Sequence, residues 1–96
     1  MQFLAMEVEL PGATAEGFAP HLDAEARHLW DLQQRGAVRG AWFRTDRHTA
    51  VLSLECADAA EAEGLLAGFP LVRHGLIRFE LVPLEPYSGY ARLFRP

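Results

Sequence analysis

Lysine and asparagine are absent from this 96-residue chain, and Cys56 is its only cysteine. All nine basic residues are therefore arginines, so no lysine side chain is available to form a Schiff base with a carbonyl substrate. A single cysteine cannot form an internal disulfide, which is typical of a protein in a reducing cytoplasm. Cys56 ends an apolar run, where a small buried side chain is expected rather than a nucleophile. These absences predict a cytoplasmic protein whose chemistry uses neither lysine nor cysteine.

The common motifs of cofactor and nucleotide sites are also missing. No CxxC, P-loop, GxGxxG or GxSxG pattern occurs, which excludes the usual zinc, nucleotide and serine-hydrolase sites. No apolar run approaches the length of a membrane span, and the N-terminal segment lacks the basic region of a signal peptide. The formal net charge of −4 argues against a nucleic-acid surface, which needs a basic patch. We therefore expect no cofactor, no membrane and no nucleic acid, and a small molecule as ligand.

The composition predicts one globular domain over residues 1–96. Half of the residues are hydrophobic, so the chain is not disordered. A domain of this size has room for one core and gains from burying more surface in an oligomer. The segment 86–96 is rich in apolar side chains that are poorly suited to water, namely Tyr87, Tyr90, Leu93 and Phe94. We expect this tail to contact a partner subunit in a homodimer or a larger homo-oligomer.

Alternating apolar residues and turn residues predict four strands and two helices. Thr14 and Asp58 are expected to cap the two helices, and Gly36 is expected to end the first one. The expected elements are a strand over 2–10, a helix over 16–35, strands over 38–45 and 49–56, a helix over 59–67 and a strand over 76–83. This β-α-β-β-α-β order predicts an α+β, ferredoxin-like fold with a four-stranded antiparallel sheet.

The alternation also predicts which residues share a face of the sheet. The face expected under the helices holds Leu4, Met6, Val8, Leu52, Leu54, Ile77, Phe79 and Leu81. The opposite face is expected to hold Phe3, Ala5, Glu7, Glu9, Val51, Ser53, Glu55, Arg78 and Glu80. An antiparallel sheet can leave such a face in water, or two sheets can close on each other in a dimer. We favour the dimer, because helices on one side only would leave Phe3 and Val51 exposed.

Glu25 is a carboxylate on the apolar stripe of the first helix. The stripe repeats at three- and four-residue steps through Phe18, Leu22, Leu29 and Leu32. A carboxylate on this stripe is either desolvated or opens into a cavity under the helix. Both environments raise its pKa and suit it to moving protons. The alternative is that Glu25 lies at the edge of the stripe and reaches water or pairs with an arginine.

Two histidines flank Glu25 on the same helix. His21, Glu25 and His28 follow the spacing HxxxExxH, which places them along neighbouring faces. The spacing leaves open a site with two histidines and one carboxylate around a metal, although no further ligand is evident. We expect no metal, with His21 or His28 tuning Glu25 or donating to a substrate oxygen. His48 and His74 are expected at the surface, and the loop of His74 can line the mouth of a pocket.

Residues 22–71 carry the features of a known family. They are an acidic helix that ends at Gln34-Arg35-Gly36, Arg39 and Trp42 in the next strand, and a Pro70-Leu71 turn after the second helix. With these features the chain resembles muconolactone isomerase and its relatives, which include small proteins of the dimeric α+β barrel type. The resemblance runs from residue 1 to about residue 83, and the family isomerase also has an acidic residue at the position of Glu25. The chain differs by one extra residue near His48, by another near His74 and by its tail.

The resemblance implies a cofactor-free isomerase that acts in aromatic catabolism. Such an enzyme moves a double bond by removing a proton from one carbon and adding one to another. The reaction needs a general base that can return the proton, and a donor that stabilises an enolate-like oxygen. Glu25 is the candidate base, and His28 is the second candidate catalytic residue.

Three further residues are candidates for substrate binding. Arg39 is expected to bind a substrate carboxylate, since a guanidinium does so with two parallel hydrogen bonds. Trp42 is expected to wall a pocket, and His21 to contact the substrate. The alternatives are an ion pair of Arg39 with Glu7 or Glu55, and a purely structural place for Trp42 in the core or in an interface.

Two functions from different classes therefore stand. The first is a cofactor-free isomerase-like enzyme that acts by proton transfer on a small carboxylated or carbonyl-bearing organic molecule. The second is a non-catalytic or accessory member of the same barrel superfamily that binds a small ligand. Monooxygenase-like chemistry on an aromatic substrate uses the same fold and is a third reading.

Overall fold

A computed structural model of the chain describes all 96 residues and contains one four-stranded sheet. Its strands are β1 (Gln2–Glu9), β2 (Val38–Phe43), β3 (Ala50–Glu55) and β4 (Ile77–Leu84). Its helices are α1 (Ala15–Phe18), α2 (Leu22–Gln34), α3 (Ala59–Ala67) and α4 (Pro70–Arg73), with 3-10 segments at Ala19–His21 and Ser88–Leu93. The strand order is β2-β3-β1-β4, and every neighbouring pair is antiparallel. These features confirm the predicted α+β, ferredoxin-like fold.

The first predicted helix, 16–35, divides into two. The Thr14 hydroxyl caps α1 by accepting a hydrogen bond from the Gly17 N–H at 3.1 Å. Pro20 has no N–H to donate to a helical bond, and it lies in a 3-10 turn between α1 and α2. Gly36 follows the end of α2 with φ of +76°, a conformation that favours glycine. The predicted cap and stop are confirmed, whereas the break at Pro20 was not predicted.

The second helix begins and ends where it was predicted, at Ala59–Ala67. The Asp58 carboxylate caps it by accepting the Glu61 N–H at 2.8 Å. Just before this helix Cys56 is buried, as predicted, and burial raises the pKa of its thiol. The sequence predicted only a turn after the helix, but α4 forms there and brings its free N-terminal N–H groups toward α2. None of the helices has the length and hydropathy needed to cross a membrane.

The core lies between the helices and one face of the sheet. Phe3 and Ala5 of β1 are only 1% and 0% exposed. Leu54 and Leu52 lie opposite them on β3, and both are buried as well. Ile77 of β4 completes the buried set on this face. The predicted inward residues of β3 are therefore confirmed, as is Ile77.

The predicted orientation of β1 is wrong. Its inward residues are Phe3 and Ala5, whereas those expected to point inward, Leu4, Met6 and Val8, lie on the opposite face and are partly exposed. Both faces of β1 are apolar in its first half, so alternation alone does not decide which of them the helices cover. Glu7 and Glu9 share the face of Phe3, and these charged residues made that face look like the exposed one in the sequence.

The second face of the sheet, called here the open face, is covered by no helix. Its apolar members are Leu4, Met6, Val8, Trp42, Val51, Val82 and Leu84. Trp42 lies opposite Val51, and Val51 lies opposite Met6, so these side chains form a continuous row across three strands. Trp42 is 57% exposed and its ring lies against Gly40. Phe3 is buried within its own subunit, so this apolar row is the surface that a dimer would cover.

The tail after β4 extends away from the domain. Its large apolar side chains, Tyr87, Tyr90, Leu93 and Phe94, are between 65% and 83% exposed. The molecule measures 60 × 29 × 19 Å and has a radius of gyration of 15.7 Å. A compact chain of this length has a radius of gyration of about 12 Å. The tail therefore leaves an apolar surface free of contact with its own domain.

Candidate functional site

Glu25 lies in the first turn of α2, where the helix faces α4. Its Oε1 accepts a hydrogen bond from the Leu71 N–H of α4 at 2.9 Å. Burial raises the pKa of Glu25, the Leu71 hydrogen bond opposes this, and the charge of Glu7 raises the pKa further. The salt bridges of the structure, at Glu55 and Asp46, do not involve this carboxyl. Glu25 is therefore a half-buried carboxyl without a salt-bridge partner, in the crevice where α2 contacts α4.

Glu7 is a second half-buried carboxyl on the helix-covered face of the sheet, and the sequence analysis placed it on the wrong face. It follows the buried Ala5 by two residues, so it shares the helix-covered face, and it lies opposite Phe79 of β4. Its Oε1 accepts the Ala50 N–H of β3 at 3.0 Å. Burial raises the pKa of Glu7, the Ala50 hydrogen bond lowers it, Glu9 raises it and His48 lowers it. The only sequence signal for the place of Glu7 is that it lies an even number of residues after Phe3 and therefore points to the same face.

The hairpin between β2 and β3 lies beside Glu7. The His48 ring stacks on the Phe43 ring, with 3.9 Å between their centroids and 22° between their planes. Phe43 lies opposite Ala50, whose N–H binds Glu7. The charge of His48 lowers the pKa of Glu7. The sequence analysis had expected His48 only as a surface residue, and it is indeed exposed.

His21, which precedes α2, and His28 on α2 have different neighbours. His21 stacks on His74 with 4.0 Å between ring centroids, one helical turn before Glu25. His28 Nε2 lies 3.2 Å from the Leu65 carbonyl oxygen of α3, and its ring meets Phe69 edge-on. No three His, Cys, Asp or Glu side chains come together in a way that could hold a metal ion. The HxxxExxH spacing therefore does not form a metal site.

Arg39 and Trp42 are not brought to Glu25. The Arg39 guanidinium Nε donates to the Gly36 carbonyl, just beyond the C-terminal end of α2. Glu25 lies nine residues before Gln34, the last residue of α2. At 1.5 Å per residue, this is about 13 Å along the helix axis. Arg39 forms no salt bridge with Glu7 or Glu55 either. Trp42 lies on the open face, which the sheet itself separates from the crevice.

Two surface grooves lie elsewhere. One, of about 520 Å³, is lined by residues of the C-terminal half of α2 and by Arg35. The other, of about 470 Å³, runs between α3, α4 and β4. Neither is lined by Glu7 or Glu25. The candidate site is therefore assigned by its chemistry, two half-buried carboxyls without salt-bridge partners, and not by groove size.

The fold is similar to that of a solved enzyme structure. The 5-chloro-2-hydroxyhydroquinone dehydrochlorinase of Burkholderia phenoliruptrix, determined in complex with 2,5-dihydroxybenzoquinone, matches with a TM-score of 0.74 and 15% sequence identity. The match covers 93% of this chain and 98% of that chain. No protein-family model and no curated protein sequence matches the chain. At this level of identity the likeness shows a shared fold.

Proposed function

We propose that this protein is a cofactor-free enzyme of the muconolactone isomerase-like type, which transfers protons on a small carboxylated or carbonyl-bearing organic molecule. The observation that supports it best is the Glu25 carboxyl, held in a crevice without an ion-pair partner. One of its oxygens accepts the Leu71 N–H, which leaves the other free to meet a substrate. Its raised pKa brings it closer to neutral pH, where a carboxyl can both take and return a proton.

The similar dehydrochlorinase supports the class of substrate. Its name and its complex describe a chlorinated hydroxyhydroquinone and a dihydroxybenzoquinone, which are small rings that carry oxygen atoms. A proton on carbon next to a carbonyl or enol oxygen is removed most easily by a positioned base with a donor near the oxygen. We assign the same kind of ligand to this chain, and a role in aromatic catabolism with it.

The remaining predicted residues take different parts in this proposal. His21 stays a candidate substrate contact, because it is the N-cap residue of α2, four residues before Glu25. His28 is a positioning residue that ties α2 to α3 through Leu65. Arg39 and Trp42 lie outside the crevice of their own subunit, and we assign Trp42 to the subunit interface.

A homodimer formed through the open faces is part of the proposal. Each open face presents an apolar row, with Trp42 and Val51 next to Met6, that no helix covers. The segment 86–96 is proposed to reach onto the partner subunit, where its exposed aromatic side chains become buried. We expect light scattering at micromolar concentration to give at least a dimer, and a monomer would contradict the proposal.

The enzymatic function is tested with muconolactone as the first substrate. We expect wild-type protein to isomerise it and Glu25→Gln to lower turnover by about a hundredfold or more, since the amide keeps the shape but cannot carry a proton. Asp23→Asn removes an exposed charge from the same helical turn and serves as the matched control. Unchanged turnover in Glu25→Gln would exclude Glu25 as the proton-transfer group.

A second function, ligand binding without catalysis, is favoured by one contact. Leu71 lies in the first turn of α4, so the hydrogen bond from its N–H lets Glu25 act as a cap for that helix. In that case the protein would bind 2,5-dihydroxybenzoquinone without converting substrates of this class. Glu25→Gln would then leave binding unchanged, because an amide oxygen also accepts the Leu71 N–H. Oxygen uptake with a hydroquinone would indicate the monooxygenase-like alternative.

A further inference from the structure

We propose that His21 and His74 form an anion-binding pair at the mouth of the Glu25 crevice, and that this pair binds the carboxylate of the substrate. The proposal deepens the proposed function and rests on it. A carboxylated substrate needs a group that holds its carboxylate, and Arg39 was expected to supply that group. Arg39 instead lies beyond the C-terminal end of α2 and donates to the Gly36 carbonyl. A carboxylate-binding group near Glu25 therefore has to come from other residues.

Two contacts between α2 and α4 place the histidine pair next to Glu25. The rings of His21 and His74 stack, with 4.0 Å between their centroids and 22° between their planes. The Leu71 N–H donates to Glu25 Oε1 at 2.9 Å. His21 lies four residues before Glu25, and His74 lies three residues after Leu71, so both contacts are one turn apart on their helices. The pair is therefore about 6 Å from Glu25 along the axis of α2, a distance that a small ring with a carboxylate substituent spans.

The ring nitrogens of both histidines are available to a ligand. His74 is exposed and His21 is half-buried. No hydrogen bond within the chain engages a ring nitrogen of either residue, whereas His28 Nε2 lies 3.2 Å from the Leu65 carbonyl oxygen. The salt bridges of the structure do not involve the pair. An imidazole carries at least one N–H in its neutral and its cationic form, so the pair offers two donors from the ends of two helices.

The arrangement of the pair suits a carboxylate better than a metal ion. The lone pairs of an imidazole lie in the plane of its ring, and two nearly parallel rings do not direct them at one ion. No third side chain is placed to complete a metal site. The two oxygens of a carboxylate can instead accept from one ring each. Each donor therefore has an acceptor in the same ligand.

The charged groups next to the pair are of both signs. On α4, Arg73 directly precedes His74 and forms no salt bridge. On α2, Asp23 lies on the exposed surface, and Glu25 is the half-buried carboxyl of the crevice. Burial raises the pKa of Glu25, which lessens its repulsion of a bound anion. A carboxylate at the pair leaves Glu25 facing the carbon atoms of the ligand.

Anion binding is tested without turnover, with benzoate as the probe and benzamide as its uncharged counterpart. The imidazole signals of the four histidines are followed by NMR at neutral pH. We expect benzoate to shift the signals of His21 and His74 and benzamide to shift neither. His48 is the matched control, because it is also exposed and stacked on an aromatic ring, but in the hairpin between β2 and β3. Benzoate that leaves the His21 and His74 signals unchanged, or that shifts His48 equally, would overturn the proposal.

Variants separate anion binding from stacking. His74→Phe keeps an aromatic ring against His21 but removes both ring nitrogens. We expect it to weaken benzoate binding by about tenfold or more, the usual effect of losing a hydrogen bond to a charged group, and to keep the urea midpoint of the wild type. His48→Phe should bind benzoate like the wild type, and Glu25→Gln should bind it at least as tightly, because it removes a negative charge. An unchanged benzoate affinity in His74→Phe would overturn the proposal.

The link to turnover is tested with muconolactone, which carries a carboxylate. We expect His74→Phe to raise KM by about tenfold or more with a smaller change in kcat, whereas Glu25→Gln lowers kcat. An unchanged KM in His74→Phe would exclude the pair from substrate binding. If the wild type does not turn over muconolactone, the proposed function fails for that substrate, whereas the benzoate titration still decides the anion site.

Discussion

The helix-covered face of the sheet carries an ionisable side chain where an apolar one would be more stable, whereas the open face carries apolar side chains where polar ones would suit water. On the covered face, Glu7 continues the row of Phe3 and Ala5 and is only half-buried. On the open face, Met6 and Val51 lie side by side without a covering helix. Each face therefore departs from the simplest arrangement of polar and apolar residues.

The two departures indicate different functions for the two faces. A carboxyl in a crevice costs stability through desolvation, and groups with perturbed pKa values cluster at functional sites. An uncovered apolar row is typical of a surface that binds another protein. The comparison therefore assigns chemistry to the covered face and assembly to the open face.

Shortening an apolar side chain should lower the free energy of unfolding much more on the helix-covered face than on the open face. We expect Phe3→Ala to lower the free energy of unfolding by about 3–5 kcal/mol, because it leaves a cavity in the core. Leu4→Ala, the neighbouring substitution on the open face, should cost much less at protein concentrations where the chain is monomeric. Urea unfolding followed by circular dichroism measures both. Equal losses would show that the two faces do not differ in this way.

A charge on the open face should disrupt assembly without unfolding the domain. We expect Val51→Glu to weaken self-association by about a hundredfold or more, because a charge buried next to Met6 and Trp42 has no partner. Analytical ultracentrifugation measures the dissociation constant, and circular dichroism checks the fold. Ala60→Glu, on the exposed surface of α3, is the control and should leave association unchanged. A Val51→Glu protein that stays dimeric would place the interface elsewhere.

Loss of the His28 side chain should affect stability more than chemistry. We expect His28→Ala to lower the free energy of unfolding by about 1–3 kcal/mol, since the Leu65 carbonyl and the Phe69 ring both lose their contact. Turnover of the folded protein should fall far less than in Glu25→Gln. If folded His28→Ala protein loses as much turnover as Glu25→Gln, His28 has a catalytic role.

The pH dependence of stability should reflect the raised pKa values of Glu7 and Glu25. Glu7 and Glu25 have pKa values above their ordinary 4.5 in the folded state, so folded protein binds more protons than unfolded protein in that range. Their contribution is full below pH 4.5 and is lost as the pH rises through the folded pKa values. We expect the double variant Glu7→Gln/Glu25→Gln to lose less stability than the wild type between pH 4 and pH 7, in urea titrations. An identical pH profile would contradict the raised pKa values.

The smallest effect is expected at Gly40, under the Trp42 ring. A methyl group there would meet the far end of the indole, which has to move, but in the monomer it is free to do so. We expect Gly40→Ala to change the free energy of unfolding of the monomer by about 1 kcal/mol or less. Its self-association should weaken clearly, because the ring is displaced from the row with Val51. An unchanged dissociation constant of the dimer would show that Trp42 is not part of the interface.

Short-range patterns in the sequence were enough to predict the elements and their order. The caps at Thr14 and Asp58 and the stop at Gly36 lie where short-range patterns placed them, because a cap depends on residues within one turn. The same short-range arithmetic placed Glu25 on the inner stripe of its helix. The break at Pro20 was readable from the sequence as well, since a proline lacks the N–H of a helix interior.

Which face of β1 lies under the helices depends on tertiary packing. Alternation separates Phe3 from Leu4, but when both sets are apolar it does not say which set is inside, and a shift of one residue exchanges them. That choice put Glu7 on the helix-covered face, and the packing of α4 supplied the Leu71 N–H to Glu25. Such contacts join residues more than forty positions apart, so they depend on how the layers pack and not on any local pattern.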